Sequence, residues 1–157
     1  MKQVLIVDDS EKIRERLAAL LAESSQIRLV GQAGDGQEAL KAIERLRPDS
    51  VILDIRLPGG SGIEVLKQVK ARYPRTQVIM LTNYDHDMYR QQCRQLGADH
   101  FLNKTLEFEN GQPFEGLREN ADFWRWLISV LRDDPMWLPP AHQSAPAPDV
   151  SSEEAQP

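Results

Sequence analysis

Residues 1–10 read MKQVLIVDDS, and the apolar run Val4–Val7 in this stretch ends abruptly at the acidic pair Asp8–Asp9. A continuous apolar run of this length is typical of a strand that is buried on both faces of a parallel sheet. Two later runs repeat this pattern of apolar residues that end at a polar one: Val51–Leu53 before Asp54, and Val78–Leu81 before Thr82. The pattern indicates an α/β domain.

Helical periodicity separates the apolar runs along the chain. The predicted faces of the first three helices consist of Ile13, Leu17, Leu20 and Leu21, then Ala39, Leu40, Ile43 and Leu46, then Ile63, Leu66 and Val69. A second strand over Ile27–Ala33, a polar helix over about 85–96 and a short strand near 100–102 complete the series. We therefore predict a doubly wound, flavodoxin-like α/β fold, in which helices cover both faces of a five-stranded parallel sheet of order 2-1-3-4-5.

Composition excludes several classes of protein. The 19 basic and 24 acidic residues give a net charge of −5, so we expect no direct binding to nucleic acid or to a membrane surface. The chain contains no apolar run near the ~20 residues that cross a bilayer, and its first residues do not form a signal peptide. The single cysteine, Cys93, cannot form an internal disulfide. We expect a cytoplasmic protein.

The chain changes character toward its end. Six of the ten prolines lie from Pro135 onward, where Lys and Arg are absent. Such a segment buries too little apolar surface to offset the entropy of ordering it. We predict a folded domain over residues 1–134, with an irregular insertion at 105–119 before the last helix, and a disordered, acidic tail over 135–157.

Polar residues follow four of the predicted strands: Asp8 and Asp9, Asp54, Thr82, and Lys104. The carboxyl ends of neighbouring parallel strands meet at one edge of the sheet, so we expect these side chains to form one pocket. Clustered carboxylates suit Mg²⁺, which prefers oxygen ligands, and the Lys and Thr suit an anionic oxygen. This set matches a carboxylate that accepts a phosphoryl group.

Four motifs, in order over Lys2 to Lys104, are V-L-I-V-D-D-S, V-I-L-D-I-R-L-P-G-G-S-G, V-I-M-L-T and F-L-N-K. Together they resemble the receiver domain of two-component response regulators. The resemblance implies that Asp54 is the phosphoacceptor. It also implies a Mg²⁺ site in which Asp9 is a direct ligand, Asp8 acts mainly through water, and the main-chain carbonyl of Arg56 completes the protein ligands together with Asp54.

The resemblance further implies that Thr82 binds a phosphoryl oxygen and that Lys104 pairs with the phosphate. Phe101 stands at the position of the family's switch aromatic, which turns inward as Thr82 moves. Phe101 has no hydroxyl group, so we expect this switch to act through packing. Thr105 follows Lys104 where the family usually has proline.

The entrance to the phosphate pocket is expected to lie between Arg56, Asn83 and Tyr84. Arg56 and Tyr84 would shield a bound phosphoryl group from water, so we predict slow dephosphorylation. We expect Trp124 and Trp126 of the last predicted helix either to lie half-buried on the domain or to form a partner face. The partner face is considered because exposed aromatic residues are enriched at interfaces.

These inferences favour a single-domain response regulator that signals through proteins. The expected partners are a sensor histidine kinase or phosphotransfer protein as donor, and a downstream protein or a second copy of the chain as target. Two alternatives stay open: a phosphate-independent docking module, and a Mg²⁺-dependent aspartyl-phosphate phosphatase. The phosphatase is disfavoured because Arg56 stands where such enzymes need an acid in D-x-D.

Overall fold

The computed structural model describes residues 1–82, 87–103 and 127–131. Strands and helices alternate along the chain in the following order: β1 (Lys2–Val7), α1 (Glu11–Leu21), β2 (Ile27–Ala33), α2 (Gly36–Leu46), β3 (Ser50–Leu53), α3 (Gly62–Arg72), β4 (Gln77–Thr82), α4 (Asp87–Gln95) and β5 (His100–Asn103). Residues 127–131 are also helical.

The sheet consists of five parallel strands in the order β2-β1-β3-β4-β5, which confirms the predicted topology. Parallel neighbours cannot be joined by a tight hairpin, so each connection crosses the sheet through a helix. The strand order reverses between β1 and β3, and ligands of open α/β sheets bind at such a reversal.

The core lies on both faces of the sheet. Alternate residues of β1 point to opposite faces, so Val4 and Ile6 belong to one cluster while Leu5 and Val7 belong to the other. The first cluster is covered by α1 and by residues 127–131. The second cluster is covered by α2, α3 and α4. The continuous apolar runs of the sequence are explained by this burial on both sides.

The predicted face of α2 is partly wrong. Ala39 and Ile43 are buried as expected, but Ala42 is also buried, whereas Leu40 and Leu46 are only partly so. Small alanine side chains let the helix axis approach the sheet closely, which leaves the two leucines at the edges of the contact.

The predicted faces of the other two helices need smaller corrections. Leu20 of α1 is only partly buried, and so is Ile63 in the first turn of α3. Val65, which the predicted face of α3 omitted, is buried. The burial of Val65 follows from helical spacing, because residues 65, 66 and 69 share one face of a helix.

A bulge sets the end of β2. The register passes from Val4↔Leu29 to Leu5↔Gly31, which leaves Val30 without a partner on β1. Beyond the bulge, Ile6 pairs with Gln32 and Val7 with Ala33. The Asp8 N–H can therefore donate to the Ala33 carbonyl, at 3.0 Å, just past the last strand pair.

The predicted insertion at 105–119 and the predicted tail at 135–157 lie outside the described residues, so both stay predictions. None of the helices in the part of the chain that the structure describes is long and apolar enough to cross a membrane. Cys93 of α4 is buried, and this burial raises the pKa of its thiol to about 11.

Candidate functional site

Three predicted site residues meet at one edge of the sheet. Asp8 follows β1, Asp54 follows β3, and Thr82 is the last residue of β4. Since β1, β3 and β4 are parallel neighbours, their carboxyl ends meet at this edge. Met80 pairs with Leu53, so Thr82 lies only about one residue beyond the level of Asp54. Asp8, Asp54 and Thr82 are all buried.

The three predicted acidic residues form a compact cluster. One carboxylate oxygen each from Asp8, Asp9 and Asp54 lies within 4.8 Å of the others. Asp8 is 3% exposed and Asp54 is 5% exposed, whereas Asp9 is exposed. Carboxylates this close together repel one another, and a divalent cation would offset that repulsion. Oxygen atoms are the ligands that Mg²⁺ prefers, so this donor set fits the ion.

Hydrogen bonds fix Asp8 on several sides. Its N–H donates to the Ala33 carbonyl, and its Oδ1 accepts the Ser10 N–H at 2.9 Å. Ser10 is in turn the N-cap of α1, where its Oγ accepts the Ile13 N–H at 3.2 Å. The Asp8 main-chain carbonyl accepts a hydrogen bond from Arg14 Nη1. The turn from β1 into α1 therefore presents Asp8 in one defined orientation.

Asp54, which follows β3, is held by the neighbouring strand β1 and by the segment that follows it. The Asp54 N–H donates to the Val7 carbonyl at 3.0 Å, and Oδ1 accepts the Ile55 N–H at 2.7 Å. The chain then turns back, and the Gly62 N–H donates to the Ile55 carbonyl at 2.7 Å. Gly62 is the first residue of α3, so the start of this helix packs directly against the backbone of the site.

The turn between Asp54 and α3 depends on glycine. Gly59 and Gly60 have φ angles of 69° and 141°, a region that residues with a Cβ rarely adopt. Pro58 precedes them and accepts the Gly36 N–H at its carbonyl, which connects this turn to the start of α2. Arg56, in the same segment, is exposed.

The remaining predicted residues fall into two groups. Phe101 is partly buried on β5, where the Arg90 guanidinium lies 4.8 Å from its ring centroid and Arg90 Nη1 donates to its carbonyl at 3.4 Å. The predicted site residues that lie outside the described part of the chain are Asn83, Tyr84, Lys104, Trp124 and Trp126. Their roles stay predictions.

Sequence reasoning missed Arg14, Arg90 and Gly62, which all contact the site or its surroundings. Each of the three residues contacts a residue that becomes its neighbour only when the chain folds. An arginine four residues after Ser10 was the only local sign of the first contact, because it lies one turn into the predicted helix.

Comparison with known families agrees with this geometry. The family model of the response regulator receiver domain matches residues 4–112, which is more than half of the chain. The chain belongs to the response regulator receiver family. Receiver domains of this family act in two-component systems, and phosphorylation and Mg²⁺ binding at an acidic pocket are typical of them.

Individual relatives support the assignment. This receiver domain is 36% identical over 109 residues to the transcriptional regulatory protein YdfI of Bacillus subtilis, covering 69% of this chain and 51% of YdfI. Among solved structures, it is similar to the response regulator domain of Thermotoga maritima CheB. That match has a TM-score of 0.73 and 29% identity, and it covers 85% of this chain and 96% of the other.

A second solved structure bears on the acidic cluster. The receiver domain matches a chain of the CheX–CheY–BeF3–Mg²⁺ complex from Borrelia burgdorferi, with a TM-score of 0.68, 26% identity and coverage of 82% and 88% of the two chains.

The chain spans about half the length of the curated relatives it matches.

Proposed function

We propose that this receiver domain accepts a phosphoryl group on Asp54 in a Mg²⁺-dependent reaction and thereby switches its contacts with other proteins. The observation that carries the proposal is the convergence of three carboxylates, with oxygens within 4.8 Å of one another, at the edge of the sheet where the buried Thr82 ends the neighbouring strand β4. Catalysis of this kind depends on positioning and charge neutralisation more than on covalent chemistry by the protein.

Mg²⁺ would be held by Asp9 directly, by Asp8 mainly through water, and by Asp54 and the main-chain carbonyl of Arg56. When bound, the ion would neutralise negative charge on the phosphoryl oxygens. The part of this chain is to keep the carboxylates together before the donor arrives. The hydrogen bonds from Ser10 to Asp8 and from Ile55 to Asp54 support this preorganisation.

The transfer step would be a displacement at phosphorus. A carboxylate oxygen of Asp54 forms a bond to phosphorus while the phosphorus–nitrogen bond of a phosphohistidine breaks. The electron pair of the broken bond goes to the imidazole nitrogen of the donor. This donor would belong to a sensor histidine kinase or a phosphotransfer protein, and the chain would catalyse this transfer to Asp54 without turning over a substrate.

The response to phosphorylation would start at Thr82, whose hydroxyl would donate to a phosphoryl oxygen, with Lys104 paired to the same group. Thr82 and Met80 lie on one face of β4, and Phe101 is the register partner of Met80. A shift of Thr82 would therefore change the packing of the Phe101 ring on the next strand, β5. Phe101 would then move inward and change the surface formed by α4 and β5.

The output of this receiver domain would pass through protein contacts, with a downstream protein or a second copy of the chain as target, and not through direct contact with nucleic acid. Relatives such as YdfI are transcriptional regulatory proteins about twice as long as the matched part. Light scattering of the chain with and without beryllofluoride and Mg²⁺ tests the homodimer, for which the expected result is a higher mass only in the activated sample.

The primary test is intact mass after incubation with acetyl phosphate and Mg²⁺. The expected result is a gain of one phosphoryl group by the wild type and none by Asp54→Asn, which keeps the size of the side chain. The proposal would be overturned if the folded, Mg²⁺-binding wild type gained no phosphoryl group from acetyl phosphate or from any histidine kinase or phosphotransfer donor. Equal gain by Asp54→Asn would also overturn it.

A further inference from the structure

Arg14 of α1 connects the acidic site to the edge strand β2. Its Nη1 donates to the main-chain carbonyl of Asp8, and its Nε donates to Oε1 of Gln32 at 3.3 Å. Gln32 pairs with Ile6 of β1, so both acceptors lie near the carboxyl edge of the sheet. One guanidinium therefore bridges the loop that carries Asp8 and Asp9 to the end of β2.

The absence of a side chain at Gly34 gives the guanidinium its place. A Cβ at this position would lie 3.1 Å from Arg14 Nη1, which is closer than most side-chain contacts of this kind. The Gly34 N–H donates to Oε1 of Glu38 at 2.9 Å, so the backbone of Gly34 is itself held by α2. The backbone of the loop after β2 is therefore held in a fixed position next to Arg14.

The peptide that Arg14 holds is the one between Asp8 and Asp9. Asp8 has further restraints at its N–H and its carboxylate. The Asp9 carboxylate, in contrast, has no hydrogen-bond or ion-pair partner within residues 1–82, 87–103 and 127–131, although it lies within 4.8 Å of the other two. The backbone position from which the Asp9 side chain projects is set by the peptide that Arg14 holds.

We propose that Arg14 is a positioning residue of the Mg²⁺ site. By holding the Asp8 carbonyl, it orients the Asp8–Asp9 peptide so that the Asp9 carboxylate stays in reach of the ion. This inference rests on the proposed Mg²⁺-dependent function. Groups that orient metal ligands from outside the ligand set commonly change metal affinity about 10- to 100-fold when they are mutated.

Two effects of Arg14 on Mg²⁺ affinity have opposite signs. A guanidinium near the site repels a divalent cation, so loss of its charge alone would tighten binding. Loss of the hydrogen bonds would instead weaken binding, because the Asp9 side chain would no longer project from a fixed backbone position. The pair Arg14→Lys and Arg14→Gln separates these effects, since Lys keeps the charge without the two-pronged geometry and Gln removes the charge.

The experiment is calorimetric titration of the full chain with Mg²⁺ alone. The expected result is that both variants bind Mg²⁺ about 10-fold more weakly than the wild type. Lys12→Gln is the matched control, because it removes an exposed charge from the same helix, and we expect an unchanged affinity. Tighter binding by Arg14→Gln together with wild-type binding by Arg14→Lys would overturn the inference in favour of a simple charge effect.

A second variant addresses the same contact without changing Arg14. Gly34→Ala should displace Nη1 and weaken Mg²⁺ binding in the same direction by a smaller factor. Thermal unfolding without Mg²⁺ shows whether the variants remain folded, and the amide resonances of Asp9 and Ser10 report the orientation of the turn. Arg14 variants with wild-type amide shifts and wild-type affinity would overturn the inference.

The outcomes separate this inference from the proposed function. A wild type that binds Mg²⁺, with an Asp54→Asn variant that binds it more weakly, supports the site itself. If Arg14→Lys and Arg14→Gln then match the wild type, only the role of Arg14 fails. If the wild type does not bind Mg²⁺, the Mg²⁺-dependent function and the role of Arg14 fail together.

Discussion

The main-chain carbonyl of Asp54 lies directly against Gly62, at the start of α3. A Cβ at position 62 would be 1.8 Å from the Asp54 oxygen and 2.9 Å from the Ile55 Cα. These neighbours are backbone atoms, so they cannot rotate away as a side chain would. Gly62, the second glycine of the G-S-G motif, therefore lets the first turn of α3 pack against the segment that carries the proposed phosphoacceptor.

We predict that Gly62→Ala displaces the backbone of Asp54 and lowers the rate of phosphorylation by acetyl phosphate about 10- to 100-fold. The free energy of unfolding should fall by about 1–3 kcal/mol, the usual range for overpacking. Gly31→Ala is the control, because its Cβ would meet only the flexible ends of Leu46 and Leu5. Phosphorylation by Gly62→Ala at the rate of Gly31→Ala would contradict the prediction.

The lifetime of the phosphoryl group tests the predicted entrance. Arg56 is exposed two residues after Asp54, and Tyr84 follows the end of β4 by two residues. If both side chains shield the phosphoryl group from water, Arg56→Ala combined with Tyr84→Ala should shorten its lifetime several-fold. The measurement is the loss of phosphoryl mass after removal of the donor, with Arg75→Ala as an exposed arginine control. Equal lifetimes in the wild type and the double variant would refute the shielding.

The stacking of Arg90 on Phe101 should contribute to stability. A cation over a ring at 4.8 Å typically contributes about 0.5–1 kcal/mol at a partly exposed site. We expect Arg90→Ala to lower the free energy of unfolding by about this amount in urea, and Arg90→Lys to lower it less. Arg94→Ala, an exposed change on the same helix, should have no effect. A loss in Arg94→Ala as large as in Arg90→Ala would argue against the stacking contribution.

The buried thiol of Cys93 predicts a dependence of stability on alkaline pH. Burial raises the pKa of Cys93 from 9.0 to about 11, so the unfolded chain releases this proton first as the pH rises. The free energy of unfolding should therefore fall between about pH 9 and 11, by about 2–3 kcal/mol from this group. The measurement is urea unfolding across this range, compared with Cys93→Ala. The same pH dependence in both proteins would show that other groups cause it.

Much of the fold could be predicted because its strands are buried on both faces. Burial of that kind requires continuous apolar runs, and these runs mark β1, β3 and β4 in the sequence. The face of α2 was harder to predict, because the burial of Ala42 in place of Leu40 depends on how closely that helix approaches the sheet. Periodicity indicates which residues share a face, but not how deeply each of them is buried.

The sequence was enough to predict which residues the candidate site contains and in which order they follow one another along the chain. Asp8, Asp9, Asp54 and Thr82 each follow or end an apolar run, and parallel strands bring such ends to one edge. The contacts that hold these residues in place become visible only in the folded chain. Arg14 contacts Asp8 and Gln32, and Gly62 contacts Asp54, across distances of a few ångströms between residues that the fold brings together. Such distances depend on helix packing and strand register, and no local pattern of residues encodes them.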